Sequence, residues 1–132
     1  MVLRRRKRIV RDFFRFVFQG RQKKEGLRCF SNGCRQHNPY VHGGMGALFD
    51  AMGAVQREAP KHPDPSFAVK NVLADGDFVA VHTELLSSKS EPGEGGLRRV
   101  HLFRFDKDDK IVEYWDVTQT VEPDMPNAAS AF

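Results

Sequence analysis

Asp75-Gly76 lies between two apolar runs, Phe67 to Leu73 and Phe78 to Leu85. Asp-Gly in that setting is the strongest short hairpin signal a sequence can carry, because glycine reaches positive φ without a Cβ clash. A second pair of runs, Leu97 to Phe105 and Ile111 to Thr120, flanks Lys107-Asp108-Asp109-Lys110. The C-terminal half therefore reads as two hairpins in sequence. Between them Ser87 to Gly96, polar and carrying Pro92, reads as a loop. A two-residue turn at Asp75-Gly76 would put Phe67, Val69, Asn71 and Leu73 on one face with Glu84, His82, Ala80 and Phe78. An even loop in the second hairpin would set His101 opposite Asp116, Phe103 opposite Tyr114 and Phe105 opposite Val112. An odd loop or a bulge would break that register.

The N-terminal half has a different period. From Ile9, apolar residues recur at Val10, Phe13, Phe14, Phe16, Val17 and Phe18, the three-to-four spacing of an amphipathic helix. Gly20 stands where a C-terminal cap would fall. A second helix is expected over roughly Lys23 to Ser31, with Leu27 and Phe30 inward and Asn32-Gly33 ending it. Pro39 makes Gln36-His37-Asn38-Pro39 a short strand or loop. Gly43, Gly44 and Gly46 open a third helix whose inner face would be Met45, Leu48, Phe49, Met52 and Val55. Pro60, Pro63 and Pro65 then form a linker. No Lys-Ser/Thr follows the three glycines, so they do not make a phosphate loop. Helices followed by an antiparallel meander give an α+β class, and 132 residues suit a single domain over 1–132.

The formal net charge is +4, and Arg4, Arg5, Arg6, Lys7 and Arg8 contribute heavily to it. Residues 1–8 are expected to be a basic arm or a solvated first helical turn. No aromatic residue interleaves the run and no nucleic-acid motif follows it, so nucleic acid is not the expected partner. Ile9-Val10 is interrupted at once by Arg11 and Asp12, which is no signal peptide, and no run reaches membrane-spanning length. Cys29 and Cys34 lack zinc or redox spacing and are read as free buried thiols of a cytoplasmic protein. No histidine-acid spacing suggests a metal, and no Ser or Cys sits in a nucleophile elbow.

Four strings carry a family resemblance: Gln36-His37-Asn38-Pro39, the run Ala74 to His82, Phe103-Arg104-Phe105, and the run Lys110 to Val117. With the order of elements, they resemble the SnoaL-like branch of the NTF2-like superfamily, relatives of polyketide cyclases. The resemblance spans Ile9 to Val121. It implies an NTF2-like, cystatin-like cone: three N-terminal helices packed on a curved antiparallel sheet that encloses a pocket. It implies a homodimer and chemistry with no cofactor and no metal. In such cyclases an acidic residue late in the sheet is acid and base in an intramolecular aldol closure, while His and Asn hold substrate oxygens. By position Asp116 falls at the acid/base place, His101 lies beside it on the preceding strand, and His37-Asn38 follow the second helix. Two departures stand out. The loop Asp106 to Lys110 is a residue longer than usual and lacks the usual Gly before the Lys, and position 101 is His where relatives often carry an acid.

Proton abstraction next to a carbonyl needs a base and donors for the developing oxyanion. Burial in an apolar pocket would make a carboxylate a stronger base. The expected catalytic residues are thus Asp116, His101 and His37. Asn38, His82, Trp115, Tyr114 and Phe103 are the expected binding residues, for a small, largely apolar, oxygenated molecule. Trp115 and Gln119 alternate with Asp116 and face outward if Asp116 faces inward. For Asn38 the competing reading is a turn former, and for Asp116 a strand-edge carboxylate in an ion pair. The same fold also hosts non-catalytic ligand-binding and dimerisation modules, so activity does not follow from fold.

Overall fold

The first helix, α1 (Val2–Phe14), buries one stripe made of Arg6, Val10, Phe13 and Phe14. Those positions step by four, three and one, which places them on one side of a 3.6-residue helix. The computed structural model describes residues 1–16, 23–58, 67–86 and 96–128. The expected cap at Gly20, the inward Met52 and Val55, the proline linker and nearly all of the Ser87 loop lie outside the described residues. α1 is followed by a short α2 (Lys23–Leu27), then β1 (Phe30–Gln36), α3 (Met45–Glu58), β2 (Phe67–Asp75), β3 (Phe78–Leu86), β4 (Gly96–Phe105) and β5 (Ile111–Val121).

The strands form one sheet in the order β1-β5-β4-β3-β2. β2 to β5 are an antiparallel meander, and β1 joins β5 in parallel. The second helix expected to reach Ser31 ends at Leu27 instead, and Phe30 starts a strand. The edge of β5 explains this. Ile111 N–H donates to Cys29 O at 3.0 Å and His37 N–H to Tyr114 O at 2.9 Å, so the segment finds backbone partners that a lone helical turn lacks. The pairing is irregular between Phe30 and Arg35, across Asn32-Gly33.

The first hairpin turns one residue later than expected. Asp75 pairs with Phe78, so Gly76-Asp77 are central, with Gly76 at φ 54° supplying the positive first position. Asn71 therefore faces His82 and Leu73 faces Ala80. A bulge between Val69 and Asn71 then moves Phe67 and Val69 to the opposite face, opposite Leu85 and Thr83. Phe67 stacks on Phe14 at 5.6 Å, which gives the bulge its packing reward. In the second hairpin His101 lies opposite Asp116 and Phe103 opposite Tyr114, as the even-loop register requires. An irregularity after Arg104 sets Phe105 against Ile111 rather than Val112.

α1 and α3 cover one face of the sheet, and an aromatic core fills the space. Phe13 meets Phe14, Phe30, Phe49 and Phe103 edge-on, with ring centroids 5.0 to 5.7 Å apart. Met45, Leu48 and Phe49 of α3 are buried with them. Edge-to-face contact suits the ring quadrupole and adds to plain area burial.

The basic N-terminal run is not a free arm. It is the start of α1, and Arg6 is buried against both hairpin turns. Its Nε donates to Asp109 Oδ1 at 2.8 Å, Nη1 to Gly76 O at 3.0 Å and Asp77 Oδ1 at 3.2 Å, and Nη2 to Asp106 O at 3.0 Å. The guanidinium lies 5.4 Å from the centre of the Phe105 ring. Arg5 also pairs with Asp109. The Arg6 hydrogen bond, with help from Arg5, holds the Asp109 carboxyl below the usual range despite some burial. Cys29 and Cys34 are free, and burial pushes the Cys34 thiol up to about 11, so it is an unreactive packing group.

Candidate functional site

Strand alternation sorts the candidate residues onto two faces of the sheet. On the helix-covered inner face β3 presents Val79, Val81 and Thr83, β4 presents Arg99, His101 and Phe103, and β5 presents Tyr114, Asp116 and Thr118. On the outer face lie Phe78, Ala80 and His82, then Arg98, Val100 and Arg104, then Glu113, Trp115 and Val117.

A continuous hydrogen-bonded line runs along the inner face. Thr83 Oγ1 is 2.9 Å from His101 Nε2. His101 Nδ1 is 2.7 Å from the Tyr114 hydroxyl, which donates to Asp116 Oδ2 at 3.0 Å. Asn38 Nδ2 reaches both Asp116 oxygens at 3.0 Å. His101 and Asp116 are cross-strand partners in the backbone register, but Tyr114 makes the link between their side chains.

The partners assign the protons. An ionised Asp116 can only accept, so the Tyr114 hydroxyl donates to it and its oxygen accepts from His101 Nδ1–H. His101 Nε2 is then the acceptor for the Thr83 hydroxyl. Burial pushes the His101 pKa down to about 3, with Arg99 adding to the effect, so the imidazole is neutral under ordinary conditions. Phe14 meets its ring edge-on at 4.9 Å. Burial first, and then the Asp116 charge, raise the Tyr114 pKa well above its ordinary value, so the phenol keeps its proton.

Asn38 does two jobs at once. Its Oδ1 accepts from Tyr40 N–H at 2.9 Å, the Asx turn that its place before Pro39 suggests, while its Nδ2 holds Asp116. Gln36 fixes that loop. Its Oε1 accepts from Asn38 N–H, and its Nε2 donates to Val41 O and Gly43 O, each at 2.8 Å.

The other candidates sit elsewhere. His37 stacks on Trp115 at 4.9 Å and bonds Glu113 Oε2 at 2.8 Å, on the outer face and away from the Asp116 line. Glu113 also meets Arg35 and Arg104. The His37 bond and then Arg104 and Arg35 lower its pKa against the opposing effect of burial. His82 lies on the outer face, 3.3 Å from Asn71 Nδ2. There it borders a shallow depression of about 520 Å³ with Leu73, Ala80, Val100 and Val117. Phe103 is fully buried beneath the line, against Tyr114 and Phe13.

Three participants were not singled out from the sequence. Thr83 is a lone hydroxyl in the apolar alternation Val79-Val81-Thr83, a signal that could have found it. Arg99 shares the face of His101 two residues on. Gln36 was noted only as part of a string, and its role depends on the loop it folds under. Among the described residues, no three His, Cys, Asp or Glu side chains converge as metal ligands. No described helix is long and apolar enough to cross a membrane.

A family model for the SnoaL-like domain matches residues 10–114. No curated protein matches the sequence. Among solved structures the chain is similar to AclR of Streptomyces galilaeus, a candidate hydroxylase, at 19% identity and TM-score 0.67, covering 89% of this chain and 90% of that one. It is similar to a SnoaL-like protein of unknown function from Burkholderia thailandensis at 16% identity and TM-score 0.66, covering 86% and 93%. It is also similar to a steroid delta-isomerase from Pseudomonas aeruginosa at 18% identity and TM-score 0.59, covering 86% and 79%. Identities this low establish the fold, which is α+β and NTF2-like, and carry no chemistry across.

Proposed function

The chain belongs to the SnoaL-like domain family, and on that premise we propose that it is a pocket protein that moves protons on a small oxygenated molecule. The reaction class is isomerisation or aldol cyclisation of a keto substrate, with Asp116 as the base. One observation carries this reading: a half-buried carboxylate at the end of a buried, one-directional line of donors, Thr83 to His101 to Tyr114 to Asp116. Asn38 and Tyr114 fix the carboxylate's orientation and leave lone pairs for a substrate C–H. When Asp116 takes a proton from one carbon of the substrate, it can return that proton to another carbon of the same molecule, which completes an isomerisation. Neutral His101 and the Tyr114 phenol keep their protons throughout and hold the carboxyl in place. The neighbour carrying the name steroid delta-isomerase supports the class by analogy alone.

The test is exchange of α-hydrogens for deuterium, followed by NMR, across a panel of cyclic and polyketide-like ketones. Asp116→Asn preserves shape and is expected to lower the rate by roughly two orders of magnitude or more. Equal exchange in wild type and Asp116→Asn would remove Asp116 from the chemistry.

A second reading is favoured by the outer face. Val117 is 71% exposed, Leu73 69% and Val100 49%, with Phe78 beside them. Such a patch suits self-association through the sheet, as in a homodimer, whether or not the inner face is catalytic.

A further inference from the structure

The inner face carries a cation that the proton-transfer reading leaves unused. Arg99 lies on β4 two residues from His101 and opposite Thr118. Its Nε donates to Thr118 Oγ1 at 3.1 Å. That bond fixes the guanidinium plane and leaves the two terminal nitrogens side by side, the fork that matches a carboxylate. Among the described residues Arg99 has no carboxylate partner, whereas Arg5, Arg6, Arg15, Arg28, Arg35 and Arg104 each have one.

The nearest acid on the same face does not close onto it. Asp116 is the diagonal neighbour of Arg99 across β4 and β5, a separation of about 7 Å between such positions. Both of its oxygens accept from Asn38, and one also from Tyr114. Arg99 is half-buried, where a cation without a counter-charge is costly. Its charge is felt locally: it helps keep His101 neutral and acts on Tyr114 in the direction opposite to burial.

We propose that Arg99 is the anchoring cation of this face, and that the ligand it selects is a small carboxylic acid with a carbonyl one or two carbons from the carboxylate. The carboxylate would sit bidentate on the Arg99 fork. The diagonal spacing then brings the carbon beside the carbonyl over Asp116, the place where a proton must be taken. The proposal rests on the inner face being the ligand face, and it names the substrate class for that site.

The experiment reads binding without turnover. Wild type, Arg99→Gln and Arg99→Lys are titrated by two-dimensional NMR with butyrate, benzoate and 2-naphthoate, and with the corresponding neutral amides. The carboxylates are expected to shift the amide resonances of Arg99, His101 and Asp116 and to bind more tightly than their amides. Arg99→Gln should weaken carboxylate binding by roughly ten- to a hundredfold, the worth of a charge-assisted bond, and leave amide binding unchanged. Arg99→Lys should lose less, keeping the charge without the fork. Asp116→Asn should tighten carboxylate binding, because a nearby like charge is gone. The proposal is overturned if no carboxylate is held more tightly than its amide by wild type, or if folded Arg99→Gln binds carboxylates as wild type does. Should Arg99→Gln fail to fold, the wild-type comparison and Arg99→Lys still decide. A negative result here leaves the deuterium-exchange test of Asp116 untouched, and a positive one stands even if no exchange occurs.

Discussion

His101 couples proton binding to folding, and the size of that coupling follows from its burial. The imidazole is held neutral, with its pKa pushed down to about 3, by the apolar rings around it and by Arg99. An unfolded chain offers an ordinary histidine of pKa about 6.5. Below that value the unfolded state gains a proton that the folded state refuses. The stability due to neutral His101 is thus fully present above about pH 6.5 and is lost as pH falls toward about 3. Integrating one site gives a loss of about 1.4 kcal/mol at pH 5.5 and about 2.5 to 3 kcal/mol at pH 4.5. Other groups titrate in this window too, so the useful quantity is a difference. His101→Gln removes the titrating group but keeps a polar side chain. Urea unfolding followed by circular dichroism at pH 7, 5.5 and 4.5 gives the stability of both proteins. The gap between them should shrink by about 2.5 to 3 kcal/mol from pH 7 to pH 4.5. A gap that stays constant would mean that His101 is solvated or charged in the folded protein, and the proton assignment along the Thr83–Asp116 line would fall with it.

Other outcomes follow from the same contacts. Arg6→Ala strips both hairpin turns of a buried partner and leaves Asp109 with Arg5 alone, and it should cost about 3 kcal/mol. Arg4→Ala should stay within about 0.5 kcal/mol, and thermal melts of the two variants separate a clamp from a solvated basic turn. Tyr114→Phe leaves the Nδ1–H of a buried imidazole without an acceptor and should cost about 1 to 3 kcal/mol in urea unfolding, while Asn38 still holds Asp116. Val117→Glu puts a charge in the middle of the exposed apolar outer face. If that face joins two copies, sedimentation velocity will show a dimer in wild type and a monomer in the variant, and a wild-type monomer would dismiss the interface.

Much of this was legible in the chain because it depends on near neighbours. The second hairpin's register, with His101 facing Asp116, needs only strand alternation and an even loop, and it held up to the irregularity after Arg104. The bulge in β2 was not anticipated: plain alternation put Phe67, Val69, Asn71 and Leu73 on one face, whereas the inward residues Phe67, Val69, Val72 and Ala74 step by two, three and two, with the odd step at the bulge. What could not be read depends on partners far along the chain. Phe30 to Gln36 looks like the tail of a helix until the open edge of β5 is beside it. Arg6 looks like one basic residue among five until two turns, some 70 and 100 positions away, close around it. Tyr114 was expected only as pocket lining, and its role as the link between His101 and Asp116 requires the hydroxyl to reach both.

The Arg6 contact bears on the order in which the chain can be assembled. Arg6 finds its partners at residues 76, 77, 106 and 109, some 70 to 100 positions further along the chain. On the ribosome the start of α1 must wait for both hairpin turns to emerge before the Arg6 guanidinium is neutralised, and loops that long close slowly. Until then a cation that ends up buried stays in water and favours an undocked helix. This part of α1 is thus made before either hairpin and is among the last segments to be locked, and its docking signals that both hairpins are already in place.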